Sequence, residues 1–117
     1  MKNSLLIFIL FFSPALMAGK AEVVDVKVSC SGSCTFNVTL KHADAGWDHY
    51  ANEWIVVAPD GTILGSRVLY HPHVHEQPFT RSLSGVNIPP EIKQVTIRAK
   101  DSVHGYGGIE KLVDLPR

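Results

Sequence analysis

A period-two alternation of apolar and polar residues constrains the fold of this chain more than any other feature. Valines alternate with polar residues over 24–30, and one face of 34–42 carries Cys34, Phe36, Val38, Leu40 and His42. Successive side chains of an extended strand point to opposite faces, so each segment predicts a half-buried strand. No segment keeps helical periodicity beyond about one turn. The sequence therefore predicts an all-β protein.

Turn residues separate the strand segments at regular intervals. They include Ser31-Gly32-Ser33, Pro59-Asp60-Gly61, Pro89-Pro90 and the glycines of 105–108. Glycine, proline and aspartate provide the backbone conformations that turns require. About seven short strands in about 95 residues predict an antiparallel sandwich of the immunoglobulin or fibronectin type III kind, with the last strand over 109–115.

The first 18 residues are expected to be a secretory signal peptide and not part of the fold. Residues 4–17 are almost wholly apolar, and the small residues Ala18 and Gly19 follow. The stretch is shorter than the about 20 apolar residues of a membrane span. Lys20 follows where a bacterial lipoprotein would carry a cysteine. The sequence thus predicts cleavage after Ala18, a single domain over 19–117, and a periplasmic or secreted protein with neither lipid anchor nor membrane contact.

The charge balance of the mature chain gives no reason to expect a polyanionic partner. Loss of Lys2 with the signal peptide leaves 10 of the 11 basic residues against 11 acidic ones, a net charge of −1 with neutral histidine. Nucleic acid or an anionic membrane surface would call for a basic patch. The expected ligand is a small molecule or an ion. The sequence does not define an electron donor or a protein partner.

Cys30 and Cys34 are the only cysteines in the chain. Export to an oxidising compartment favours a disulfide between them, which would close a tight hairpin around Ser31-Gly32-Ser33. A redox or metal-binding role for the pair is the alternative.

Six histidines are the candidate metal ligands. In an up-and-down sandwich, alternate loops fall at the same end. This rule brings all six to one pole, and the cysteine turn and the two proline turns to the other; the six are His42, His49, His71, His73, His75 and His104. Neutral imidazole is the commonest metal ligand, and an imidazole-rich site suits iron, zinc or copper(II). The alternatives are solvated loop histidines, a buried His42 bonded to a carbonyl, or a pH-responsive surface without metal.

The order and spacing of these residues resemble a known family. His42 … His49-Tyr50 … Trp54-Ile55, followed near the end by Asp101-Ser102-Val103-His104-Gly105, is similar to the iron domain of the superoxide reductases, the desulfoferrodoxins and neelaredoxins. That domain is an immunoglobulin-like sandwich. In the family, four equatorial histidines and an axial cysteinate hold iron(II), and superoxide is reduced to hydrogen peroxide at the open sixth position.

The resemblance implies a metal-binding, superoxide reductase-like oxidoreductase with His42, His49 and His104 as equatorial iron ligands. Asp101 stands at the axial cysteine position, and a carboxylate donates less electron density than a thiolate, which weakens the enzyme interpretation. The family's N-terminal ligand histidine has no counterpart here. One of His71, His73 or His75, with His73 the first choice, is expected to replace it. Zinc or copper are the alternative metals, and a non-enzymatic, fibronectin-like binding module is the alternative function.

Overall fold

The structure, a computed structural model, describes residues 19–117, so the expected signal peptide lies outside the described residues. The described chain forms eight strands: β1 (Glu22–Ser31), β2 (Ser33–Lys41), β3 (Ala51–Val57), β4 (Ile63–Val68), β5 (Phe79–Val86), β6 (Gln94–Asp101), β7 (Gly105–Tyr106) and β8 (Lys111–Asp114). All pairings are antiparallel. Residues 19–117 contain no helix, and therefore none that could cross a bilayer.

The strands form two sheets, which confirms the predicted all-β sandwich. One sheet has the order β1-β2-β5, and the other has the order β4-β3-β6 with both β7 and β8 paired to β6. Inward side chains of both sheets make one core, whose largest members are Trp54, Phe36, Leu40, Ile97, Val23, Val38, Val56 and Val95. The sequence predicted about seven strands. The eighth arises because the segment after Asp101 forms the two-residue β7 before the chain turns into β8.

The inward row of β1 differs from the predicted alternation. A register shift between Val23 and Asp25 interrupts the pairing of β1 with β2. As a result Val23 is buried, while Val24, which the simple alternation would place inward, is half-buried. A bulge of this kind adds a residue to one strand and changes which face its neighbours occupy.

Two core rows, one from each sheet, end in polar residues at the same end of the sandwich. The buried row of β2 continues past Leu40 to His42, which is 2% exposed, and the buried row of β6 continues past Ala99 to Asp101, also 2% exposed. Because β2 and β6 belong to opposite sheets, a histidine and a carboxylate meet in the space between them. This end of the sandwich holds the candidate site.

The opposite end of β2 carries the disulfide. Cys30 and Cys34 are bonded across the Ser31-Gly32-Ser33 turn, as the sequence predicted.

Candidate metal centre

Three side chains from separate parts of the chain bring ligand atoms together at the polar end of the core. Nε2 of His42 lies 3.3 Å from Nε2 of His49 and 3.2 Å from Oδ2 of Asp101. Nε2 of His49 lies 3.3 Å from the same Asp101 oxygen. The three atoms form a nearly equilateral triangle of two nitrogens and one oxygen. Such a group could hold a metal ion.

The loop after β2 positions His49 through main-chain hydrogen bonds. The amide of Ala45 donates to the carbonyl of His49, and the amide of His49 donates to the carbonyl of Gly46, whose φ is +93°. Glycine adopts this left-handed conformation without the steric cost of a side chain. The Ser102 amide donates to the Tyr50 carbonyl, and this joins the loop to the end of β6. His49 is therefore fixed from both sides.

Asp101 both orients His104 and faces the other histidines. Its Oδ1 accepts hydrogen bonds from the amides of Val103 and His104, which closes the turn after β6. Its Oδ2 lies 3.0 Å from Nδ1 of His104, so one carboxylate oxygen contacts three imidazoles. Burial alone raises the pKa of Asp101, but the hydrogen bonds from His104 and Val103 outweigh burial and lower the pKa from 3.8 to about 2. Asp101 is thus an anion at neutral pH.

Asp44 supports His42 from behind and was not among the candidates that the sequence indicated. Its Oδ1 lies 2.5 Å from Nδ1 of His42 and accepts a 3.0 Å hydrogen bond from the amide of Ala51. Its Oδ2 accepts a 2.7 Å hydrogen bond from the amide of His73. A carboxylate beside Nδ1 holds the proton on that nitrogen and leaves Nε2 with a free lone pair. The His-x-Asp spacing of 42–44 is the only sequence signal for this role.

The 71–75 stretch contributes its main chain to this end of the molecule, but its histidines lie outside the triangle. Nε2 of His73 lies 2.8 Å from a guanidinium nitrogen of Arg81, its ring stacks on Phe79, and its Nδ1 has no hydrogen-bond partner. The ring of His71 lies 4.8 Å from that of His73, and both His71 and His75 are exposed. No strand forms over 69–78, so the side chains of His71, His73 and His75 do not line one face of a strand. Their role as ligands stays a prediction.

The centre is closed on one side and reachable on the other. The side chains of His42 and Asp101 are wholly buried, whereas those of His49 and His104 are 25% and 36% exposed. A ligand from solution would therefore approach past His49 and His104.

Comparison with known proteins gives one informative match. The chain is 42% identical over 97 residues to a protein of Halomicrobium mukohataei named "Putative lipoprotein". The match covers 81% of this chain and 47% of the relative, so the chain spans about half the length of the curated relative that it matches. No family model and no solved structure matches the chain.

This relative overturns the predicted localisation. The sequence predicted a periplasmic or secreted protein without a lipid anchor, whereas the name of the relative denotes a lipid-anchored protein. The prediction was wrong because it depended on a single residue, Lys20, at the edge of a segment that lies outside the described residues. The described β-sandwich contains no feature that bears on anchoring.

Proposed function

We propose that this domain binds one divalent transition-metal ion through His42, His49 and Asp101. The observation that carries this proposal is the triangle formed by Nε2 of His42, Nε2 of His49 and Oδ2 of the ionised Asp101. These three atoms lie 3.2 to 3.3 Å apart. In a tetrahedral site with bonds of about 2.0–2.1 Å, neighbouring ligand atoms lie about 3.3–3.4 Å apart. The triangle therefore matches one face of such a site.

The donor set restricts the class of metal. Two imidazole nitrogens with one carboxylate suit zinc, iron(II) or copper(II), whereas calcium and magnesium take mainly oxygen ligands. Asp44 adds the carboxylate–histidine support that metal-binding histidines commonly have. His104 adjoins the site through Asp101 and is the next candidate ligand.

A superoxide reductase-like iron site is the finer form of this proposal. It is supported by His42 and His49, whose Nε2 atoms lie 3.2 and 3.3 Å from Oδ2 of Asp101 in the group that could hold an ion, and by His104, whose Nδ1 lies 3.0 Å from the same oxygen outside that group. Bound iron(II) would supply the electron for superoxide reduction. This chain would hold the ion with His42, His49 and His104, and the buried Asp101 would replace the cysteinate. The exposed edges of His49 and His104 would admit the substrate.

Metal storage or partner binding without catalysis is the alternative function. The carboxylate in place of the family's thiolate favours it, because the electron donation that assists peroxide release is weaker. In that case the domain would be a fibronectin-like binding module whose metal has a structural or buffering role.

Metal stoichiometry of the purified protein and its variants tests the proposal. We expect one equivalent of zinc, iron or copper per chain in the native protein, and its loss in His42→Ala and Asp101→Asn. His75→Ala removes an exposed histidine outside the triangle and serves as the matched control, with the metal retained. Equal metal content in the His42 and His75 variants would contradict the proposal.

A superoxide-consumption assay on the iron-loaded protein tests the finer form. We expect consumption with release of hydrogen peroxide, and its loss in His42→Ala. If the protein binds iron stoichiometrically but consumes no superoxide, the metal-binding proposal would stand and the superoxide reductase activity would be excluded.

A further inference from the structure

A backbone oxygen lies against both histidines of the triangle. The carbonyl oxygen of Gly19 is 3.1 Å from Nε2 of His42 and 3.0 Å from Nε2 of His49. Gly19 lies just before β1, and its Cα packs against a third imidazole, since an added Cβ would lie 2.5 Å from Cε1 of His104. The segment before β1 therefore passes so close to the centre that a side chain at residue 19 would displace the His104 ring.

Hydrogen bonds alone do not account for this arrangement. The four atoms Nε2 of His42, Nε2 of His49, Oδ2 of Asp101 and O of Gly19 make five contacts of 3.0–3.3 Å with one another. The two oxygens have no protons to donate, and the Nδ1 proton of His42 is directed at Asp44. His42 and His49 can each carry at most one proton on Nε2, and one proton can be directed at only one partner. Two protons therefore cannot make five hydrogen bonds. One cation between the four atoms would satisfy all of them.

We propose that the Gly19 carbonyl oxygen is a ligand of this metal centre, an inference that depends on the proposed function. A tetrahedral site would place the four atoms at its corners, and the five separations of 3.0–3.3 Å are close to the about 3.3 Å edges of such a site. In an octahedral site, the two histidine nitrogens would be neighbours, and the two positions adjacent to both of them lie opposite each other. The oxygens of Gly19 and Asp101 would then take these two opposite positions. The carbonyl is present whether or not the chain is cut after Ala18.

A carbonyl ligand changes what the centre can do. The carbonyl is neutral, so Asp101 remains the only anionic ligand, and a bound divalent ion keeps half of its positive charge. In the octahedral case, the Gly19 oxygen would occupy the ligand position that superoxide needs at a bound iron. The chain itself would then compete with any ligand from solution, and the segment before β1 would have to move before such a ligand binds.

Copper(II) added to the metal-free full chain provides the test, because its unpaired electron couples to nuclei of its ligands. The protein is grown with glycine labelled with ¹³C at the carbonyl carbon, and electron–nuclear double resonance is recorded. We expect imidazole ¹⁴N couplings together with one ¹³C coupling. Gly61→Asn should keep the ¹³C coupling, since Gly61 lies in the turn between β3 and β4, at the end of β3 that is away from Asp101. Gly19→Ala removes the label at residue 19 and should abolish the ¹³C coupling.

The outcomes separate the two proposals. Imidazole ¹⁴N couplings without a ¹³C coupling in the native protein would overturn the Gly19 ligand and leave the metal centre intact. Loss of the ¹³C coupling in Gly61→Asn while the ¹⁴N couplings persist would also overturn it. The absence of imidazole couplings would overturn both proposals. If Gly19→Ala binds no copper because of its contact with His104, the native protein still provides the test, because a missing ¹³C coupling there overturns the Gly19 ligand.

Discussion

At the scale of single residues, Asp44 determines which nitrogen of His42 faces the centre. We predict that Asp44→Asn weakens metal affinity by about 10- to 100-fold, because an amide presents one acceptor oxygen where the carboxylate now accepts from both His42 and His73. Competition with a chromophoric chelator measures this loss. Asp48→Asn changes an exposed carboxylate in the same loop and should bind metal like the native protein. Equal affinities in the two variants would contradict the role of Asp44.

His73 gives the metal-free protein a pH-dependent stability. Burial, followed by the charges of Arg81 and His71, lowers the pKa of His73 below its ordinary 6.5. The folded protein therefore binds this proton less readily than the unfolded chain. The resulting stabilisation is complete above pH 6.5 and is lost as the pH falls below that value.

Comparison with His73→Phe tests this effect, since phenylalanine does not titrate and preserves a ring beside Phe79. We predict that the native protein loses free energy of unfolding relative to the variant over the acidic range below pH 6.5. Urea unfolding in the presence of a chelator measures the difference. A difference that stays constant over this range would contradict the prediction.

At the scale of strands and loops, the sequence predicted those parts of the centre that continue a strand pattern. Every second residue of β2 and of β6 is apolar and points inward. His42 and Asp101 each follow the last inward apolar residue by two positions, so they point inward as well. Both positions are buried in the structure. The alternation of loops similarly anticipated that His49 and His104 approach the same end.

The remaining parts of the centre have no periodic signal. Asp44 lies in a loop, where alternation no longer indicates which way a side chain points. Gly19 approaches the two histidines with its main-chain oxygen, an atom that every residue has and no side-chain pattern can reveal. The histidines at 71, 73 and 75 would share one face only in an extended strand. The segment that contains Pro72 forms no strand.

The disulfide and the metal centre lie at opposite ends of β2 and should be energetically independent. Eight residues separate Cys34 from His42, which corresponds to about 26 Å along a strand. We predict that replacing Cys30 and Cys34 with serine lowers the free energy of unfolding by about 2 kcal/mol, the value expected for so short a loop. Metal affinity should not change, because no ligand depends on this turn. Denaturant unfolding and metal titration of the double variant measure both. Weaker metal binding would contradict the independence.

At the scale of the whole molecule, the ion would join the two sheets. His42 follows a strand of one sheet and Asp101 ends a strand of the other. We predict that metal at about 100 times its dissociation constant stabilises the fold by about 2.7 kcal/mol, or about 10–20 °C in Tm for a domain of this size. Thermal melts with zinc and with chelator measure this shift. His42→Ala should show none, and an equal shift in that variant would indicate binding elsewhere.

The most direct test of the metal centre is anomalous diffraction, recorded at the absorption edge of the bound metal from crystals of the protein. We expect one strong peak about 2.0–2.2 Å from Nε2 of His42, Nε2 of His49 and Oδ2 of Asp101. A metal-loaded crystal without a peak between these three atoms, or with its peak at His71–His75 instead, would contradict it.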